Sequence, residues 1–146
     1  MSRHGERGQT MLLIVGLAVV LMTAVAIVVN ASAAYLQRQG LDSLADGAAL
    51  VGADAGAEGQ EVYTGGLGVE RLQLFEDEAR DAVDDYLIRT GARETYPGLG
   101  RTVAVDRESR TVRIRLTAAL ELPLTIPGAP ERATIIADAA AAVTPD

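Results

Sequence analysis

From Met11 to Val29 the chain reads MLLIVGLAVVLMTAVAIVV, an uncharged run in which only Gly16 and Thr23 fall short of strong apolarity. Coiled into a helix at 1.5 Å per residue, such a run spans roughly 28 Å, close to the bilayer hydrocarbon thickness of about 30 Å. A membrane span is the reading this length supports. The alternative is a cleaved signal peptide, with a basic start, an apolar core and Ala31-Ser32-Ala33 matching the small-x-small cleavage pattern. The apolar run exceeds the roughly 7 to 15 residues of a signal core, which favours a retained anchor. Arg3 and Arg7 precede the run, whereas Asp and Glu dominate beyond the isolated Arg38. The positive-inside bias therefore predicts a cytoplasmic tail over 1–10, a transmembrane helix over 11–30 and the remaining mass outside the cytoplasm.

With 146 residues, the chain has room for this anchor and one compact domain. Much of its apolar content is spent before Val29 and much of the rest is alanine, so the core outside the membrane must be modest. Its aromatic residues are Tyr35, Tyr63, Phe75, Tyr86 and Tyr96, too few to line a ring-filled small-molecule pocket. The net charge of −7 offers no basic footprint for nucleic acid. Cysteine is absent, which removes disulfides, thiolate metal sites and thiol nucleophiles together. The single histidine, His4, lies in the tail across the span from most carboxylates, so no Ser/His/Asp arrangement can assemble. Glu121 is the one acid in an apolar stretch, and an outward strand position accounts for it. These features predict no enzyme, no cofactor or metal site, and no small-molecule substrate.

The helical pattern continues past the span. Leu41, Leu44, Ala45, Ala48 and Gly52 recur at i, i+3, i+4, i+7 and i+11, predicting one long helix to about Ala53, with a stalk over 31–56 and an α+β domain over 57–146. Within the stalk, Ala33, Gly40 and Gly47 are seven residues apart and share a face. Such a seam of small residues suits another subunit's helix or the chain's own domain, and the sequence leaves both open. Ala53 to Gly68 is glycine-rich, acidic and aperiodic, and reads as a loop. Its Gly65, Gly66 and Gly68 lack the Gly-Lys-Ser/Thr and the preceding strand that a phosphate cradle needs.

A second helix is predicted from about Glu70 to Thr90, with Leu72, Phe75, Ala79, Ala82, Val83, Tyr86 and Leu87 on one face and Gly91 as its stop. Its opposite face carries Asp77, Asp81, Asp84 and Asp85, with Glu76/Arg80 and Asp85/Arg89 at ion-pair spacing. A helix surface cannot wrap calcium, so these acids read as a solvated face. Period two then takes over. Thr102–Asp106 and Thr111–Thr117 flank Arg107–Arg110 as a hairpin, with Val112, Ile114 and Leu116 on the buried side and Arg113 and Arg115 on the wet side. Pro123, Pro127 and Pro130 interrupt pairing before Ala133–Val143, where alanine favours helix and Thr-Ile-Ile favours strand; strand is the reading adopted. The predicted fold is α+β: a long N-terminal helix, one amphipathic helix and a small antiparallel sheet.

Three blocks carry a family resemblance: Arg7-Gly8-Gln9 before the span, Tyr35-Leu36-Gln37-Arg38-Gln39-Gly40-Leu41 after it, and Leu44-Ala45-Asp46-Gly47-Ala48-Ala49-Leu50-Val51-Gly52-Ala53. In this order and at these distances from a span, they resemble the N-terminal Tad domain of TadE/TadG-like proteins of tight-adherence (Flp) pilus assembly. The last block is the family's Ala-Asp-Ala-Ala-Ala-Leu-Ala-Gly-Ala pattern with Gly47 and Val51 substituted. Family members commonly carry an acid at the end of the span, where this chain has Asn30, and larger ones carry a von Willebrand type A domain, for which this chain is too short. The resemblance implies a short, minor-pilin-like accessory component with a pilin-like layout, in contact with membrane lipid and with other pilus-assembly subunits through helix packing. Gly8 and Gln9 form a candidate processing junction for a prepilin peptidase, which cuts after a glycine directly before the apolar segment. Pilins usually place a glutamate five residues into the mature chain; Leu13 stands there, so an uncleaved, permanently anchored protein is expected.

Overall fold

A computed structural model describes residues 4–62, 68–106, 109, 111–124 and 133–142. Helix α1 runs from His4 to Val62, 59 residues or about 88 Å at helical rise. Helix α2 spans Gly68–Arg89 and a single turn, α3, spans Ala92–Thr95. Three strands follow, β1 (Gly100–Asp106), β2 (Thr111–Leu120) and β3 (Ala133–Ala142). They form one antiparallel sheet in the order β1-β2-β3. The architecture is the expected α+β one, and Ala133–Ala142 is a strand, its ten residues paired along the whole of β2 from Ala142 opposite Thr111 to Ala133 opposite Leu120.

The far half of α1 lies on the sheet, and α2 packs beside it. Leu41, Ala45, Ala48, Ala49 and Ala53 of α1 are buried against Ala79, Val83 and Leu87 of α2, Val112, Ile114, Leu116 and Ala118 of β2, and Ala137 of β3. Small residues on α1 and β3 bring backbone close to backbone, while β2 supplies the bulk. Leu41, Val83, Val112, Ile114 and Leu116 are the largest fully buried side chains. Each contributes about 1.5–3 kcal/mol of transfer free energy. Arg113 and Arg115 stand on the wet face, where Arg115 Nε meets Asp138 Oδ1 of β3 at 2.6 Å.

Three boundaries differ from the sequence reading, the simplest being β1, which begins at Gly100 rather than Thr102. The loop expected over Ala53–Gly68 is instead helical as far as Val62, the last residue of α1. Ala53, Ala55 and Ala57 favour helix, and Gly56 lies directly against the Phe75 ring of α2, so packing carries the helix past the expected end. Gly65 and Gly66 fall outside the described residues, and Gly68 opens α2. Strand β2 also extends beyond Thr117 to Leu120, held by pairing with β3 where alternation in its own sequence fades. Helix α2 ends as expected. Gly91 adopts a left-handed φ of 64°, which an L side chain resists, and its N–H bonds back to the Ile88 carbonyl.

Candidate functional site at the end of the apolar segment

From Gln9 to Val25, α1 is not covered by the rest of the described chain. Every residue from Gln9 to Val25 is exposed, Leu12 by 76% and Met22 by 74%. Apolar side chains left bare over this length match a lipid environment, and this helix is long and apolar enough to cross a membrane. Gly8 and Gln9 lie in the same helix, immediately before the apolar run.

Packing begins at Asn30, one residue past that run. The residue is 6% exposed. It binds both backbone groups of a single residue in the β2–β3 connection: Asn30 Nδ2 donates to the Leu124 carbonyl at 2.7 Å, and Leu124 N–H donates to Asn30 Oδ1 at 3.1 Å. Two turns further on, Gln37 repeats the arrangement. Its Nε2 donates to the Glu121 carbonyl, and the Glu121 N–H donates to its Oε1 at 3.0 Å. An amide suits each position because it offers a donor and an acceptor side by side, as a neighbouring strand would. An acid at position 30, as is common in the resembled family, could not do both while ionised. Nothing in periodicity marked Asn30 or Gln37 as a pair. Their seven-residue spacing, on polar side chains at the edge of an apolar run, is the one signal that could have found them.

The small-residue seam is filled from within. A Cβ built on Gly47 would lie 2.7 Å from Tyr86 Cζ, and one on Gly40 would meet the Tyr96 hydroxyl. Tyr96 also donates from its hydroxyl to the Gln37 carbonyl at 3.3 Å, and burial pushes its phenol above the ordinary value. Ala33 is half-buried. The three predicted positions thus lie along the face where the chain's own tyrosines settle, beside the Asn30 and Gln37 contacts.

On α2, Asp77 and Asp84 of the outer face are engaged in ion pairs. Arg80 bridges Glu76 and Asp77, each at 3.2 Å, and Asp84 pairs with Arg101 of β1; Asp85 and Arg89 do not pair. Glu78 Oε2 is buried without a hydrogen-bond partner among the described residues, a cost to stability on a side chain that is otherwise half-exposed. No cluster of three or more metal-capable side chains occurs among the described residues.

Comparison with known proteins adds one match. Residues 8–55 fit a family model, Tad, described as "Putative Flp pilus-assembly TadE/G-like". No curated protein matches, and neither does any solved structure. The matched segment covers the bare apolar helix, Asn30, Gln37 and the buried alanines of α1, and stops before the sheet begins. The similarity to the TadE/G-like Tad family thus falls on residues 8–55, the span-like half of α1 with the packed stretch that follows it.

Proposed function

We propose that this chain is a membrane-anchored, minor-pilin-like accessory component of a Flp/Tad-type pilus assembly or secretion apparatus, with a structural role rather than an enzymatic one. The Tad match over residues 8–55 carries this reading, since it coincides with the only apolar helix of spanning length among the described residues. Arg3 and Arg7 ahead of the span, and the acidic balance beyond it, favour a cytoplasmic N-terminus and an extracytoplasmic domain. Partners are other subunits of the apparatus. Because Gly40 and Gly47 are occupied by Tyr96 and Tyr86, the packing surface for such subunits is the exposed face of α1, where Leu36 and Leu50 remain open.

Retention of the N-terminus is part of the proposal. A cut after Ala33 would fall inside unbroken helix and remove Asn30 from its contact with Leu124, which argues against release of a free exported module. Leu13 in place of an intramembrane acid removes the need for a partner subunit to pair a buried charge. Crosslinking in cells followed by detergent extraction should recover the protein with pilus-assembly components; a lone monomer would overturn the assembly role. Peptide mapping of membrane fractions should find residues ahead of Gln9, whereas Gln9 as the mature terminus in sheared pili would make the protein a filament subunit.

A further inference from the structure

The Asn30 and Gln37 contacts fix where the β2–β3 connection lies relative to the membrane. Seven residues of helix advance about 10.5 Å along the axis, and the three residues from Glu121 to Leu124 cover about 10 Å when extended. With Glu121 held at Gln37 and Leu124 held at Asn30, the chain leaving β2 must therefore run down the side of α1 towards the apolar segment. Asn30 is one residue beyond Val29, so Leu124 arrives about 1.5 Å past the end of the hydrocarbon-spanning run. The polar layer of a bilayer extends about 5–7 Å beyond the hydrocarbon on each side. Leu124 is at its inner edge, and Leu122 at its outer edge.

The residues delivered there suit that layer. Leu122 and Leu124 are 38% and 41% exposed, and Pro123 between them is exposed. About 140° around the helix from Asn30, Tyr35 is 68% exposed at a height of about 9 Å, just above the polar layer, and a helical side chain leans back towards the N-terminus and so towards that layer. A helix tilt of about 20° would move a point about 8 Å off the axis by only about 3 Å, less than the thickness of the polar layer.

From this placement we infer that Leu122-Pro123-Leu124 is a second membrane contact, a foot that rests its apolar side chains in the lipid headgroup layer and seats the domain directly on the bilayer surface. The partner is the lipid itself. Together with Tyr35 on the opposite flank, the foot resists rocking of the domain about the single span. This inference rests on the reading of residues 11–29 as a membrane span.

The chain has no tryptophan, so single substitutions report position directly. The full-length protein is reconstituted into phosphatidylcholine vesicles without bromine, with bromine on the acyl chains near the headgroup, or with bromine deep in the acyl chains. Four variants are compared: Val20→Trp within the span, Leu124→Trp and Leu122→Trp in the foot, and Leu50→Trp, exposed on α1 about 30 Å beyond Asn30. Shallow bromines should quench Leu124→Trp several-fold more than Leu50→Trp, with a blue-shifted emission, and Leu122→Trp by an intermediate amount. Circular dichroism identifies any variant that fails to fold, and the second foot position then decides. Foot variants quenched no more than Leu50→Trp, with Val20→Trp strongly quenched by deep bromines, would overturn the foot while leaving the anchor intact. Loss of quenching at Val20→Trp would instead overturn the anchor, and the foot with it.

Discussion

Gly47 stands where the resembled Tad pattern has alanine, and Tyr86 occupies the space that alanine's methyl would take. An exposed helix gains about 1 kcal/mol when glycine becomes alanine, whereas overpacking costs about 1–3 kcal/mol. Here the whole end of the ring must move, because Tyr86 Cζ and Cε1 lie 2.7 and 3.3 Å from the added carbon. Overpacking therefore wins. Gly47→Ala should lower stability by about 1 kcal/mol in the native background and raise it by about as much when paired with Tyr86→Leu, which vacates the space. Urea midpoints of the four proteins in detergent give the cycle, and equal effects in both backgrounds would refute the coupling. Gly16 is the internal contrast, for nothing lies within 4 Å of a Cβ there. Tyr96 adds a pH dependence. Its folded pKa is raised above 10.0 by burial, so the native state holds the phenolic proton more tightly than the unfolded chain does. The associated stability is complete below the unfolded value and is lost as pH rises through the folded one. Between about pH 9 and about pH 11, the native protein should lose more stability than Tyr96→Phe. Parallel slopes would show that the phenol titrates alike in both states.

Two amides decide how an entire connection is placed, and each should act locally. Removing the Asn30 amide leaves the Leu124 N–H and carbonyl without partners, at a cost of about 1–3 kcal/mol. Amide exchange should quicken at Leu124 in Asn30→Ala and at Glu121 in Gln37→Ala, with little crossover, and β2 protection should persist in both. Loss of protection throughout β2 would mean that the connection is part of the cooperative core rather than strapped to it. Periodicity made α2, β1 and β2 legible, because Ala79, Val83 and Leu87 keep helical spacing and Val112, Ile114 and Leu116 keep strand alternation. The alanine-rich β3 was the harder case. Its strand state is set by pairing with β2, a long-range effect that overrides helix propensity at Ala139 to Ala142. Extension of α1 past Ala53 was hidden for a similar reason, since Gly56 reads as a breaker until Phe75 is placed against it. The seam stayed open because small residues announce a close neighbour without naming it. Asn30 and Gln37 were illegible as a site, for their partners are backbone groups, which carry no signature in sequence.

At the scale of the whole molecule, the apolar half of α1 and the folded half are joined but do not pack on each other. No residue from Gln9 to Val25 is buried, whereas Asn30 is the first to be enclosed. The fold of the domain should therefore be indifferent to loss of the span and sensitive to a cut a few residues later. A chain beginning at Ala24 keeps Asn30 nearly two turns inside the helix. One beginning at Ala34, the product of cleavage after Ala33, loses it. The shorter chain should be less stable by about 1–3 kcal/mol, the cost of orphaning both backbone groups of Leu124. Fraying at a new helix terminus would also contribute, so Asn30→Ala in the Ala24 chain serves as the control and should reproduce most of the loss. Urea unfolding of the three chains, with exchange at Leu124, makes the comparison. If the Ala34 chain equals the Ala24 chain, the contact at the end of the span contributes nothing to the domain and a freely released module becomes physically reasonable. A deficit matched by the control would mean that the domain is built to remain attached, since the residue that closes its lower end belongs to the helix that carries the apolar run.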